Sequence, residues 1–246
     1  MDYSIQLYTV RHALEADLPG TIARLAALGV TRVEPYNFVA TADALAAAML
    51  ENGITAPSGH APLLSADQHE ILAAARRLGI TTVIEPHVPA ERWTSVSDIA
   101  ATAAELNAAA ATAAGYGIRV GYHNHAWEAL VVAGGRTGIE VLADHLVPEV
   151  ILELDTFWAA VGGQDPVDLL TRLGDRVRFI HIKDGPVSND PRRQVAVGSG
   201  TLPIWDIIDA VTALEVGVIE LDDFDGDMFD AVAGSIRFID AGRATP

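Results

Sequence analysis

The sequence predicts an α/β fold, a single (β/α)8 barrel spanning residues 1–246. Short apolar β-rich runs alternate with alanine- and leucine-rich runs of helical period along the whole length, which marks βα units on a parallel sheet. Eight such units follow one another at a spacing near thirty residues, with no Ser/Pro-rich linker to divide them. Polar residues gather at the ends of several runs, where a TIM barrel carries its active face.

Strands are expected at residues 4–8, 31–36, 54–58, 81–86, 118–123, 149–155, 177–182 and 217–221. The clearest helices are expected at 41–52, 68–78, 95–116, 165–173 and 203–214. Gly29, Gly53, Gly79, Gly117 and Gly174 each follow a helical run, as C-terminal caps do. A doubly wound sheet would need a Gly-rich phosphate turn after its first strand, and Leu7-Tyr8-Thr9-Val10-Arg11 offers none.

Composition narrows the function. Half of the residues are hydrophobic, enough for a substantial core. Sixteen basic residues against thirty-three acidic ones give a net charge of −17, which argues against nucleic acid and against an acidic membrane surface as partners. No uninterrupted apolar run reaches membrane-spanning length and no signal-like h-region opens the chain, so a soluble, cytoplasmic protein is expected. With no cysteine, any metal must sit on nitrogen and oxygen. No Gly-x-Ser-x-Gly elbow and no P-loop occur.

Successive strand side chains point to opposite faces, so residues two apart share one. His123 with His125, Glu153 with Asp155, His181 with Lys183, and Glu220 with Asp222 form such pairs, as do Glu34 with Tyr36 and Glu85 with His87. Barrel closure would bring these pairs to one mouth. Asp155, His181 and Glu220 offer the oxygen and nitrogen donors of a divalent-ion site. His123 is the first choice for a fourth ligand, with His125 and Glu128 as replacements. Glu153, deeper than Asp155, is expected either to hold a ligand by a hydrogen bond or to be wholly structural.

Lys183 is the only lysine of the chain, and arginine's wide fork cannot replace a compact ammonium. His60, His87 and Glu128 are candidate substrate contacts. Trp127, Phe157 and Trp158 would wall an apolar side of a sugar-sized pocket. Val197-Gly198-Ser199-Gly200 is expected to be either a mobile loop over the site or an ordinary turn.

Taken together, Tyr122-His123-Asn124-His125 with Glu128, Leu152-Glu153-Leu154-Asp155-Thr156-Phe157-Trp158, His181-Ile182-Lys183-Asp184, Gly198-Ser199-Gly200 and Ile219-Glu220-Leu221-Asp222 resemble the sugar phosphate isomerase/epimerase superfamily, the xylose isomerase-like TIM barrels. The resemblance covers essentially the whole length. It implies a metal-dependent isomerase or epimerase of carbohydrate metabolism, with manganese foremost and magnesium, cobalt or zinc as alternatives. By motif, Asp155, His181 and Glu220 match metal-ligand positions. His123 departs from the glutamate of ketose epimerases, which points toward the branch of inosose dehydratase-like lyases. Trp158 stands where the AP endonuclease branch has a histidine.

The expected chemistry is proton removal beside a metal-polarised carbonyl to give an enediolate. Glu220 or Glu34 would be the base, and Lys183 or His125 would stabilise or protonate oxygen. A non-catalytic sugar-binding barrel is the competing reading. The resemblance also implies a small sugar-like substrate and association into a homo-oligomer.

Overall fold

The computed structural model describes residues 2–243. Eight parallel strands form the barrel: β1 (Tyr3–Gln6), β2 (Val33–Glu34), β3 (Ser58–His60), β4 (Thr82–Glu85), β5 (Arg119–His123), β6 (Val150–Asp155), β7 (Val177–Ile182) and β8 (Val216–Ile219). They lie in the order β2-β1-β8-β7-β6-β5-β4-β3. Single bridges, Arg32 to Thr55 and Tyr36 to His60, bring the two outer strands together and nearly close the barrel. A short antiparallel hairpin, Val131–Ala133 with Arg136–Thr137, follows β5.

Ten α-helices fill the connections: α1 (Arg11–Ala16), α2 (Leu18–Ala27), α3 (Ala42–Glu51), α4 (Gln68–Leu78), α5 (Val96–Ala114), α6 (Gly138–His145), α7 (Thr156–Val161), α8 (Pro166–Leu173), α9 (Ile204–Ala210) and α10 (Met228–Ala241) among the described residues. Side-chain caps begin many of them. Asp67 accepts from the backbone N–H of His69 and Glu70, Ser95 from that of Asp98, and Thr137 forms a capping box with Glu140. Gly79, with φ 73°, closes α4 in the left-handed region.

Three of the differences from the expected boundaries have a clear local cause. The third strand begins at Ser58 rather than 54, because Pro57 has no N–H for the ladder, and Thr55 instead pairs across to Thr31 and Val33. The first strand stops at Gln6, whose side chain accepts from the Tyr8 N–H and starts a 3-10 turn. The helix expected over 203–214 ends at Ala210, where Val211 turns extended.

Strand side chains fill the interior in layers. Near the base, Ile151, Phe179, Val216 and Val218 form an apolar plug. Register then places charged residues above it: His123 lies beside Glu153 on β6, and Asp155 beside His181 on β7. Two residues toward the C-terminal ends, Asp155, Lys183 and Glu220 reach the mouth. The outer strand faces pack against helices such as α5, whose Ile99, Ala103 and Leu106 are fully buried.

Candidate active site

Strand geometry sorts the ionisable groups into two tiers. The lower tier centres on Glu153. Its Oε2 lies 2.6 Å from His60 Nε2, 3.2 Å from His123 Nδ1 and 3.1 Å from His181 Nε2, while its Oε1 is buried without a hydrogen-bond partner. Glu34 closes the tier from β2: its Oε1 accepts from Gln6 Nε2 at 2.8 Å and lies 2.9 Å from His181 Nε2, and Ser58 Oγ donates to its Oε2.

The upper tier centres on Lys183. Its ammonium lies 2.9 Å from Asp155 Oδ2, 2.8 Å from Glu220 Oε2 and 2.8 Å from Asp222 Oδ2. Asp155 divides its labour, because Oδ1 caps α7 by accepting from the Trp158 N–H while Oδ2 faces the site. Asp222 is held further by Trp158 Nε1 at 3.1 Å and Gln194 Nε2 at 2.7 Å. His181 joins the tiers, with Nδ1 2.6 Å from Glu220 Oε2 and Nε2 turned toward Glu34 and Glu153.

Burial and neighbours set the charges. Burial alone would push Glu34, Glu153 and Glu220 up, but Glu34 is held far below the usual carboxylate range by His60 and His181, and Glu220 by Lys183 and His181. Glu153 falls to about 2, because His181 and His60 outweigh burial and the charge of Glu34. His60 rises to about 10 against its own desolvation, through Glu34 and Glu153. His181 also rises, against burial, whereas burial and the neighbouring His181 keep His123 neutral. Burial lifts Asp155 to about 6 although Lys183 pulls the other way.

A cavity of about 250 Å³ opens above these tiers, lined by Tyr8, Tyr36, Asn37, His60, Pro86, His87, His123, His125, Glu220 and Asp222. Its size suits a small polar molecule. His125 stacks on Trp127 at 4.6 Å between ring centroids, with His87 edge-on at 5.5 Å. Burial, reinforced by Lys183, lowers His125 to about 3 and keeps its ring neutral. Trp93 and Trp127 both donate to the Val88 carbonyl and fix this wall.

The expected residues therefore divide. His60, His87, His123, His125 and Glu220 line the cavity, with Asp155, His181 and Lys183 directly associated with them. Glu34 lies beneath the imidazoles rather than on a cavity wall. Glu128 is fully buried behind His125, accepting from Tyr122 Oη at 2.7 Å and from the His125 N–H at 2.9 Å. Trp158 contributes through its hydrogen bond to Asp222.

Tyr8 and Asn37 line the cavity without having been singled out in the sequence. Asn37 is the one non-glycine residue with positive φ, 42°, among the described residues, and only the β2–β3 closure reveals why the chain turns there. The Val197–Gly200 segment is not free above the site. Asp184 accepts from the backbone N–H groups of Gly185, Gly198, Gly200 and Leu202 and ties it down.

The sequence profile of the xylose isomerase-like TIM barrel family matches residues 22–241. The chain belongs to this family. A sugar phosphate isomerase/epimerase from Parabacteroides distasonis ATCC 8503 is 21% identical with a TM-score of 0.82, over 98% of this xylose isomerase-like chain and 94% of that one. The IOLI protein, solved with a bound zinc atom, is 15% identical with a TM-score of 0.74, over 97% of this chain and 96% of its own. At these identities both likenesses concern the fold. Inosose dehydratase from Geobacillus kaustophilus (strain HTA426) is 38% identical over 69 residues, which span 28% of this chain and 21% of that relative. No helix among the described residues of this family member is long and apolar enough to cross a membrane.

Proposed function

We propose that this xylose isomerase-like barrel is a divalent-metal-dependent isomerase or epimerase of a small sugar or keto-sugar. The observation that carries the reading is the convergence of Asp155, His181 and Glu220, whose donor atoms lie within 4.8 Å of one another below the cavity. The residues fit a cation. All three are buried, and Asp155 Oδ2 has no aligned hydrogen bond although Lys183 lies 2.9 Å away. His123 Nε2, 3.8 Å from that oxygen, is the proposed fourth donor. A manganese, magnesium, cobalt or zinc ion held there would polarise a substrate carbonyl and acidify the adjacent C–H.

The chain's own groups supply the proton chemistry. Glu220 stays ionised and reaches the cavity, so it is suited to remove the proton. Lys183 supplies an ammonium toward the developing oxyanion. Neutral His125, braced by Trp127, presents a ring N–H to a second substrate oxygen. Glu34 reaches the cavity only through His60, 3.1 Å away, and would relay a proton rather than take it from carbon. Return of the proton to a neighbouring carbon gives isomerisation, and return to the opposite face gives epimerisation.

The stretch shared with inosose dehydratase favours a second reading, loss of a β-hydroxyl from the same enediolate. Metal analysis of purified protein should find near-stoichiometric divalent ion, lost in Asp155→Ala and Glu220→Ala. A screen of ketoses and inosose in deuterated water then separates the reactions: solvent deuterium in an isomeric product indicates isomerisation or epimerisation, and a dehydrated product indicates the lyase. Binding without deuterium exchange on any substrate would replace both with a non-catalytic sugar-binding barrel.

A further inference from the structure

We propose that the lower tier is a second cation-binding position, formed by His60, His123, Glu153 and His181 and suited to a nitrogen-preferring ion, zinc foremost. It goes beyond the mouth centre and has its own donors: His60 and Glu153 belong only to the lower position, Asp155 and Glu220 only to the upper. One donor atom from each of the four lower residues lies within 4.8 Å of the others. All four residues are buried, and they come from four different strands, β3, β5, β6 and β7.

The hydrogen bonding is lopsided in a way that a cation would relieve. Three imidazole nitrogens crowd Glu153 Oε2 at 2.6, 3.2 and 3.1 Å, while Glu153 Oε1 is buried with no partner. Tetrahedral zinc, with bonds near 2.0–2.1 Å, holds its donors roughly 3.3–3.5 Å apart, so small outward shifts would suffice. Three imidazoles and one carboxylate suit zinc better than manganese or magnesium, whereas two carboxylates weight the upper position toward harder ions. Glu34, 2.9 Å from His181 Nε2, adds a second carboxylate to balance the charge.

The two positions share His123 and His181 through opposite ring nitrogens. His181 turns Nε2 to Glu153 and Nδ1 to Glu220, and His123 turns Nδ1 to Glu153 and Nε2 to Asp155. A neutral ring that ligates below must carry its proton on the other nitrogen; in His181 that is Nδ1, 2.6 Å from Glu220 Oε2, to which it then donates, as ligating histidines commonly do. Occupation of one position therefore withdraws two nitrogens from the other, and the ions compete.

The test is chelator-competition titration of the metal-stripped full chain with zinc and with manganese, joined to crystals soaked in zinc and measured at its absorption edge. His60→Gln and Glu153→Gln should weaken zinc at least tenfold and manganese by a clearly smaller factor, with Asp155→Asn showing the reverse. The anomalous peak should stand between His60 and Glu153. Circular dichroism checks that the variants fold, and the wild-type anomalous map decides even if they do not. No zinc uptake, zinc affinity indifferent to both lower-tier variants, or a peak only beside Asp155 and Glu220 would overturn the lower position. Manganese binding indifferent to Asp155→Asn would instead undo the mouth centre and leave the lower position standing.

Discussion

Lys183 Nζ lies 2.9 Å from Asp155 Oδ2, so the only lysine of the chain supplies a positive charge within the proposed metal centre. Lys183→Met would leave Asp155, Glu220 and Asp222 facing one another without their cation. Removal of one partner from a buried ion cluster typically costs about 3–5 kcal/mol. Urea unfolding in EDTA should show a loss of that order, and added manganese should recover more stability in the variant than it adds to wild type. Equal recovery in both proteins would mean that the ammonium and the metal do not share this space.

Glu128 gives a pH dependence of definite sign. Burial pushes its carboxyl from an ordinary 4.5 up to about 8, with Tyr122 pulling modestly the other way. The folded state thus prefers the protonated acid, while the unfolded chain releases its proton near 4.5. This contribution is complete below about pH 4.5 and is lost as pH rises toward 8, by an amount on the order of a few kcal/mol. Denaturant midpoints of wild type should fall relative to Glu128→Gln across that window. Parallel profiles for the two proteins would refute the assignment.

The stacked pair His125 and Trp127 should matter to turnover more than to folding. Trp127→Ala removes the ring that fixes the imidazole, an aromatic contact worth about 0.5–1.5 kcal/mol beyond its buried area. Once a substrate is found, kcat/KM should drop roughly three- to tenfold, and Trp127→Phe should recover much of it. An unchanged kcat/KM in Trp127→Ala would remove His125 from the proposed mechanism.

Gly162, at the end of α7, abuts the segment that carries His125. A Cβ there would lie 2.4 Å from the Ala126 carbonyl oxygen and 2.6 Å from Ala129 Cβ. Gly162→Ala should cost about 1–3 kcal/mol in thermal or chemical unfolding, the usual range for overpacking. Because Ala126 follows His125 directly, turnover should fall with it. Wild-type stability would show that this connection yields without strain.

Period-two alternation made much of the site legible before folding, because Glu153 with Asp155 and His181 with Lys183, each two apart on a strand, must share a face, and barrel closure turns that face inward. Composition singled out Lys183 as well. Depth was not legible. The 2.6 Å approach of His60 to Glu153 joins residues 93 apart, and it follows from barrel stagger, which no local pattern records. Glu128 has the polarity of a site residue, yet the tight 3-10 turn at Trp127–Ala129 folds it back under Tyr122. Tyr8 and Asn37 owe their places to the turn after β1 and to the closure of β2 on β3.

The Asp184 clamp on Gly198, Gly200 and Leu202 removes this segment as a closing flap. A rim that must fold over its guest charges the ordering of that segment against every binding event and makes arrival wait on closure. Here four backbone amides are already fastened to one carboxylate. The segment therefore adds no flap whose ordering would oppose binding, and with a net charge of −17 on the molecule uncharged sugars should approach faster than their phosphorylated counterparts.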